Sequence, residues 1–81
     1  MMRALYTERF RRSYEAAPSE VQKAFDKQVL FLLKSIRHRS LRAKKYGVSW
    51  DVWQARVNRS WRFYFTIKSE TYYILDILPH A

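Results

Sequence analysis

The chain has 81 residues, no cysteine and a formal net charge of +9. This length supports one domain, residues 1–81, and the lack of cysteine excludes a disulfide scaffold and a thiolate metal site. The longest apolar run, Val29 to Leu33, is too short to cross a bilayer, and the N-terminus lacks the pattern of an export signal, so we expect a cytoplasmic protein with no membrane partner.

The first elements predicted along the chain are a short strand and a helix. The strand covers residues 4–7, and Thr7 can cap the helix that follows it. Phe10 and Tyr14 then recur at helical spacing. Pro18 ends this helix, because proline disfavours helical geometry in the residue before it.

A second helix is predicted directly after the proline. Ser19 and Gln22 form a capping-box pattern at its start. An apolar stripe follows, whose members recur every three or four positions: Val21, Phe25, Val29, Leu32 and Ile36. Two helices joined by a tight turn predict a helical hairpin. The basic stretch 37–45 is predicted to be a linking loop.

The remainder predicts a three-stranded antiparallel meander, with strands at residues 52–57, 61–68 and 71–78. Turn-forming residues at 58–60 and 69–70 separate these strands. The expected fold class is α+β: a short N-terminal strand and a helical hairpin packed on one face of the meander. The expected core contains Phe25, Leu32, Ile36, Val57, Phe63, Phe65 and Ile77.

The meander has two chemically different faces. All three tryptophans, Trp50, Trp53 and Trp61, lie among arginines between residues 50 and 65. Because strand side chains alternate with period two, one face is apolar and the other is polar. The predicted polar face holds Gln54, Arg56, Arg62, Tyr64, Asp76 and His80. The same alternation places Tyr73 and Leu75 with Ile77 on the apolar face, and Ile74 with Asp76 on the polar face.

The positive charge is concentrated in two places. Sixteen Lys and Arg stand against seven Asp and Glu, with one cluster in residues 37–45 and a second formed by Arg56, Arg59 and Arg62. Such a field attracts nucleic acid, an anionic membrane or an acidic protein. A membrane helix is disfavoured, because much of the excess lies in predicted loops and strands. A generally basic surface without a dedicated partner is the competing interpretation.

The residue types exclude several chemistries and leave one. His38 and His80 are the only histidines, and no tight His/Asp/Glu cluster exists, so we expect no metal and no cofactor. A single glycine excludes a glycine-rich phosphate loop. RNA cleavage by acid–base and electrostatic catalysis remains, with Arg56 and Arg62 as cations and His80 as a proton carrier near neutral pH. Solvated arginines and a histidine in a frayed tail are the structural alternative.

Five segments resemble the RelE/ParE superfamily of bacterial toxins, and within it the RelE-like cytotoxins. They are residues 40–46, 53–57, 61–65, 74–77 and 79–80. The resemblance implies the toxin of a type II toxin–antitoxin pair, an mRNA endoribonuclease that acts in the ribosomal A site. It also implies a cognate antitoxin that silences the toxin in a hetero-oligomer.

The resemblance also implies roles for individual residues. Arg62 matches the arginine of the family's aromatic strand and would stabilise the phosphorane, while Arg56 matches the basic residue of the preceding strand and would orient the phosphate. His80 matches the C-terminal histidine of one branch and would be the general acid. That branch's glutamate base aligns near Arg39 and is missing here. The expected RNA-contacting residues are Lys44, Lys45, Gln54 and Tyr64.

Two other functions stay open at the level of sequence. ParE-like members inhibit DNA gyrase and need no catalytic residues, so the basic face would then be a protein-binding surface. A non-catalytic RNA-binding module would use the same cations without cleaving RNA.

Overall fold

The computed structural model describes residues 1–47 and 51–80, so Trp50 and Ala81 lie outside the described residues. Two helices and a 3₁₀ turn accompany a five-stranded sheet of order β1-β5-β4-β3-β2. The strand β1 is parallel to β5, and the other neighbours are antiparallel. The elements are β1 (Arg3–Tyr6), α1 (Glu8–Ala16), α2 (Ser19–Lys34), the 3₁₀ turn (Arg39–Leu41), β2 (Lys44–Lys45), β3 (Trp53–Arg56), β4 (Trp61–Lys68) and β5 (Thr71–Pro79). The predicted α+β class is confirmed.

The helical hairpin is fixed to the sheet at the start of α1. The hydroxyl of Thr7 accepts a hydrogen bond from the Phe10 amide at 3.1 Å and donates one to the Leu75 carbonyl at 3.0 Å. One side chain therefore caps the helix and ties it to β5. Pro18 directly precedes α2, as predicted. Neither described helix is long and apolar enough to cross a membrane.

The core lies between the hairpin and one face of the sheet. Phe63 and Phe65 of β4 are fully buried, and the Phe25 ring of α2 meets Phe63 edge-on with centroids 5.1 Å apart. The predicted core is confirmed except at Ile36. This residue is only partly buried, because α2 ends at Lys34 and Ile36 follows the helix instead of continuing its stripe.

The predicted faces of β5 are wrong before residue 76. A bulge shifts the register, so that Phe65 faces Ile74 while Tyr64 faces Asp76. Leu75 is the extra residue, and the alternation inverts there. Ile74 is consequently fully buried in the core, whereas Tyr73 and Leu75 are half-buried. Beyond the bulge, Ile77 points to the core and Asp76 to the opposite face, as predicted.

The basic stretch after α2 is also more ordered than predicted. It forms the 3₁₀ turn and the edge strand β2, which pairs with β3. Between them Arg42 adopts left-handed backbone geometry, with φ of 46°. This turn brings Lys44 opposite Gln54 and thereby adds lysines to the polar face of the sheet.

Candidate anion-binding site

A concave surface of about 560 Å³ lies on the sheet face opposite the helices. We call it the basic pocket. It collects six of the seven sequence-predicted site residues, and its lining consists of Arg42, Lys44, Lys45, Tyr46, Gly47, Gln54, Arg56, Arg62 and His80. The seventh predicted residue, Tyr64, contacts the Tyr46 ring with centroids 5.2 Å apart. Among the described lining residues five are lysine or arginine and none is a carboxylate, so the pocket suits an anion.

Two guanidinium groups of the pocket lining converge on one backbone oxygen. Arg56 and Arg62 are register partners on β3 and β4. Arg56 donates from Nε to the Asn58 carbonyl at 3.3 Å, and Arg62 donates from Nη1 to the same oxygen at 2.8 Å. Within residues 1–47 and 51–80 neither guanidinium forms an ion pair. Arg62 also donates from Nη1 to the Trp61 carbonyl at 2.9 Å. Two like charges held only by neutral carbonyls favour a bound phosphate, whose oxygens accept from guanidinium forks.

The β3–β4 turn builds this arrangement. The side-chain oxygen of Asn58 accepts from the amides of Ser60 and Trp61, both at 2.9 Å. These bonds fix the turn and leave the Asn58 backbone carbonyl for the two arginines. Sequence reasoning identified residues 58–60 only as a turn.

His80 is anchored beside the same turn. Its backbone amide donates to the Ser60 carbonyl at 2.7 Å, so this part of the chain is attached to the sheet. The residue is exposed and lies at the rim of the basic pocket. An imidazole in this place can reach a ligand held by the arginines.

Gln54 and Tyr64 are register partners on β3 and β4, and of the two only Gln54 lines the basic pocket. Gln54 is only 8 % exposed, so it offers little surface to RNA. Burial raises the pKa of Tyr64 above its ordinary value; Tyr46 and Asp76 raise it further, and Arg62 opposes them. Tyr64 therefore stays a neutral phenol at physiological pH, able to donate a hydrogen bond but ill-suited as a base.

The two predicted lysine contacts differ in their surroundings. Lys45 forms an ion pair with Asp51 at 2.9 Å, and its Nζ lies 5.6 Å from the centre of the Trp53 ring. Lys44 is exposed and has no ion pair with the described residues. The field of Lys44 is thus the less neutralised of the two.

One supporting residue escaped sequence reasoning. Gln28 on α2 is buried, and its Nε2 donates to the Ser40 carbonyl at 3.1 Å and to the Arg56 carbonyl at 2.8 Å. It joins the helix to the segment before β2 and to the end of β3. The sequence did offer one signal: Gln28 lies close to apolar residues of α2. An amide buried among such residues needs specific hydrogen-bond partners.

The part of the chain that the structure describes contains no set of side chains that could ligate a metal ion. No group of three or more His, Asp or Glu side chains comes together within residues 1–47 and 51–80. The chemistry on offer here is that of cationic side chains, a phenol and an imidazole.

Comparison with known proteins places the fold. The sequence matches no family model and no curated protein. Among solved structures, it resembles the YoeB/ParE toxin from Agrobacterium tumefaciens with a TM-score of 0.83 at 10% identity, covering 99% of this chain and 100% of that one. It also resembles YafQ from E. coli, with a TM-score of 0.79 at 11% identity over 98% and 93% of the two chains.

A third similar structure was determined as a complex. The toxin–antitoxin complex RelBE2 from Mycobacterium tuberculosis gives a TM-score of 0.78 at 19% identity, over 99% of this chain and 98% of that chain. These identities are too low to carry residue roles across, but the coverage is nearly complete. The chain therefore has the RelE/ParE-like toxin fold, as its sequence predicted.

Proposed function

We propose that this chain is the toxin of a type II toxin–antitoxin pair and cleaves mRNA on the ribosome. The observation that carries the proposal is the convergence of Arg56 and Arg62 on the Asn58 carbonyl, within a pocket lined by further cations. Such a pocket is complementary to a phosphodiester whose charge increases during reaction. Aromatic and polar side chains on its floor add contacts for the sugar and base.

In the proposed reaction the RNA's own 2′-hydroxyl attacks the adjacent phosphorus. Arg62 offsets the charge that builds on the phosphorane oxygens, and Arg56 orients the scissile phosphate. His80 donates a proton to the leaving 5′-oxygen. Lys44 and Lys45 hold the flanking RNA, and Tyr64 donates a hydrogen bond from its phenol.

The reaction also needs a group that accepts the proton of the 2′-hydroxyl, and the described lining has no group suited to this role. The lining lacks a carboxylate, and Tyr64 is held protonated. We therefore place this acceptor outside the chain, on the ribosome, which would make cleavage of free RNA slow and cleavage of ribosome-bound mRNA fast.

The proposed partner is a cognate antitoxin, an acidic polypeptide that binds this chain in the cytoplasm. A groove along α2 supports this partner, since it combines exposed Leu30 with Phe31 and Leu33 and is bordered by Lys27 and Lys34. An amphipathic acidic segment would bury the apolar strip and pair with the lysines. Similar solved structures include the E. coli DinJ–YafQ toxin–antitoxin complex.

The test is translation-coupled mRNA cleavage by purified protein. Arg62→Ala is expected to reduce the cleavage rate on the order of 10²–10³-fold, because it removes a preorganised charge at the phosphorane. Arg59→Ala is the matched control, since it removes the same charge from the neighbouring β3–β4 turn, at a residue outside the basic pocket. His80→Ala should lose less activity if a ribosomal group can replace the acid.

Two outcomes contradict the proposal. Unchanged cleavage by folded Arg62→Ala would remove this pocket from the chemistry. A parent protein that binds ribosomes without cleaving mRNA would be an RNA-binding module, and one that inhibits DNA supercoiling instead would be a ParE-like gyrase inhibitor. The absence of a carboxylate from the described lining favours these as the alternatives to test.

A further inference from the structure

A second cavity lies on the helical side of the molecule, remote from the basic pocket. It has a volume of about 400 Å³ and is formed where β1, α1 and α2 meet. Phe10 and Phe25 form its buried floor, with ring centroids 4.9 Å apart. Tyr6 and Tyr14 each pack against Phe10, with ring centroids 5.2 and 5.6 Å from it, so four aromatic rings line the cavity.

The polar groups of this cavity have the opposite sign to the rest of the protein. Asp26 accepts a hydrogen bond from the Tyr14 hydroxyl at 2.9 Å, and Glu15 also lines the cavity. Arg11 is the one cation among its described lining residues. Burial raises the pKa of Tyr6, and the nearby negative charge of Asp26 raises it further.

We propose that this aromatic and acidic cavity binds the cationic side chain, arginine or lysine, of a partner polypeptide. Ring faces attract a cation through their quadrupole, and a carboxylate at the end of the space pairs with its charge. Phe10 and Phe25 contact the aliphatic stem of the side chain, while Tyr6, Tyr14 and Asp26 surround its head group.

The net charge indicates why the cation belongs to a polypeptide. A protein of charge +9 repels free cations at long range, so a small amine gains little from approaching it. A side chain carried by a segment that also contacts the surface is held at high local concentration and overcomes this repulsion. The ligand is accordingly a peptide segment with one basic anchor residue, and its other contacts lie outside the cavity.

The direct test uses N-acetyl-arginine methylamide as a probe, with the full chain observed by NMR of its aromatic side chains. Saturable shifts are expected for the Tyr6 and Tyr14 rings, with an affinity in the millimolar range for so small a ligand. The corresponding citrulline derivative has the same shape but no charge and should not produce them. Tetramethylammonium tests a free cation without a stem and should bind more weakly than arginine.

Variants separate recognition from folding. Asp26→Asn keeps an acceptor for the Tyr14 hydroxyl but removes the charge, and should weaken arginine binding by about fivefold. Tyr6→Leu keeps an apolar wall without a ring, and should weaken it by about 2- to 30-fold. Glu70→Gln changes the net charge as Asp26→Asn does, at an exposed turn outside the cavity, and should leave binding unchanged.

The inference is overturned by any of four results. One is the absence of saturation at tens of millimolar arginine probe, and another is equal binding of the citrulline derivative. The third is an Asp26→Asn variant that binds as well as Glu70→Gln. Tighter binding of tetramethylammonium than of the arginine probe would assign the cavity to small cations and reject a peptide anchor.

Discussion

Gln28 connects the hydrophobic core to the proposed site through a single side chain. Its amide group satisfies the carbonyls of Ser40 and Arg56, and its own oxygen lies 3.2 Å from the Ser40 hydroxyl. Gln28 thus holds the end of β3, which carries Arg56, although Gln28 itself does not line the pocket.

We expect Gln28→Met to lower the free energy of unfolding by about 1–3 kcal/mol. Methionine fills a similar volume but leaves buried carbonyls without their donor. Urea denaturation measures the loss. Gln22→Met is the control, because the Gln22 amide donates to one carbonyl, that of Tyr14, at a less buried position, and a smaller loss is expected there. Equal losses for both variants would contradict the bridging role of Gln28.

For individual residues, the sequence predicted which side chains share the polar face of the sheet. It did not predict the hydrogen bonds that hold these side chains in place. Parity along β3 and β4 placed Gln54, Arg56, Arg62 and Tyr64 on one face, since adjacent antiparallel strands keep the same alternation across the sheet. The bonds that the Asn58 and Ser60 carbonyls accept depend on backbone oxygens, which every residue possesses. Residue type therefore gives no sign of them.

Among the elements, the hairpin β4–β5 is joined by a turn with an unfavourable residue. Lys68 pairs with Thr71, so the turn has two residues, and its first, Ser69, has φ of 56°. A side chain in left-handed geometry costs free energy that glycine does not.

Ser69→Gly is expected to raise the free energy of unfolding by up to about 1 kcal/mol. The substitution removes the backbone strain at this position, and the greater entropy of glycine in the unfolded chain offsets part of that gain. Thermal and urea unfolding can both measure it. Ser60→Gly supplies the comparison, because Ser60 lies in the other turn without a positive φ and should gain nothing. A loss of stability in Ser69→Gly would show that its side chain contributes more than its backbone costs.

Elements with a strong local signal were predicted, and those that depend on distant partners were not. Pro18 and the capping residue Thr7 act within a few positions, so the limits of the hairpin were recognisable. The bulge at Leu75 and the short strand β2 arise from pairing with other strands. Two lysines carry no strand pattern of their own, and a bulge leaves the alternating letters of β5 unchanged.

For the molecule as a whole, the charge distribution predicts how binding to ribosomes responds to salt. Affinity should fall steeply as ionic strength rises, because each neutralised phosphate releases a counterion. Lys44→Ala should weaken binding and reduce the slope of log affinity against log salt by about one. Lys45→Ala should have the smaller effect, since Asp51 already neutralises part of its charge.

Lys68→Ala is the matched control for this experiment, because Lys68 is exposed on β4 but lies outside the basic pocket. Filter binding over a series of salt concentrations gives the slopes. Salt-independent association of the parent, or equal slopes for Lys44→Ala and Lys68→Ala, would contradict a phosphate-dominated interface.

Buried phenols predict how stability changes at alkaline pH. Burial raises the pKa of Tyr72 above its ordinary value, so the unfolded chain loses this proton first. The stabilisation is complete below about pH 10 and is lost as pH rises through the folded value. Tyr72→Phe should therefore show a shallower alkaline decline in the free energy of unfolding than the parent, measured by urea denaturation above and below about pH 10. An identical decline would contradict this linkage.

The parallel pairing of β1 with β5 has a consequence for synthesis. A ribosome makes residues 3–6 early, and the residues of β5 that pair with them, 71–74, follow 68 positions later along the chain. β5 also lies between β1 and β4 in the sheet. Until β5 leaves the exit tunnel, Phe63 and Phe65 lack one neighbour and the Ser60 carbonyl lacks the His80 amide. The nascent polypeptide thus cannot complete the proposed site before β5 emerges, even when its earlier elements are already outside the ribosome. The order of translation itself therefore delays the formation of this surface until β5 has been made and has left the tunnel.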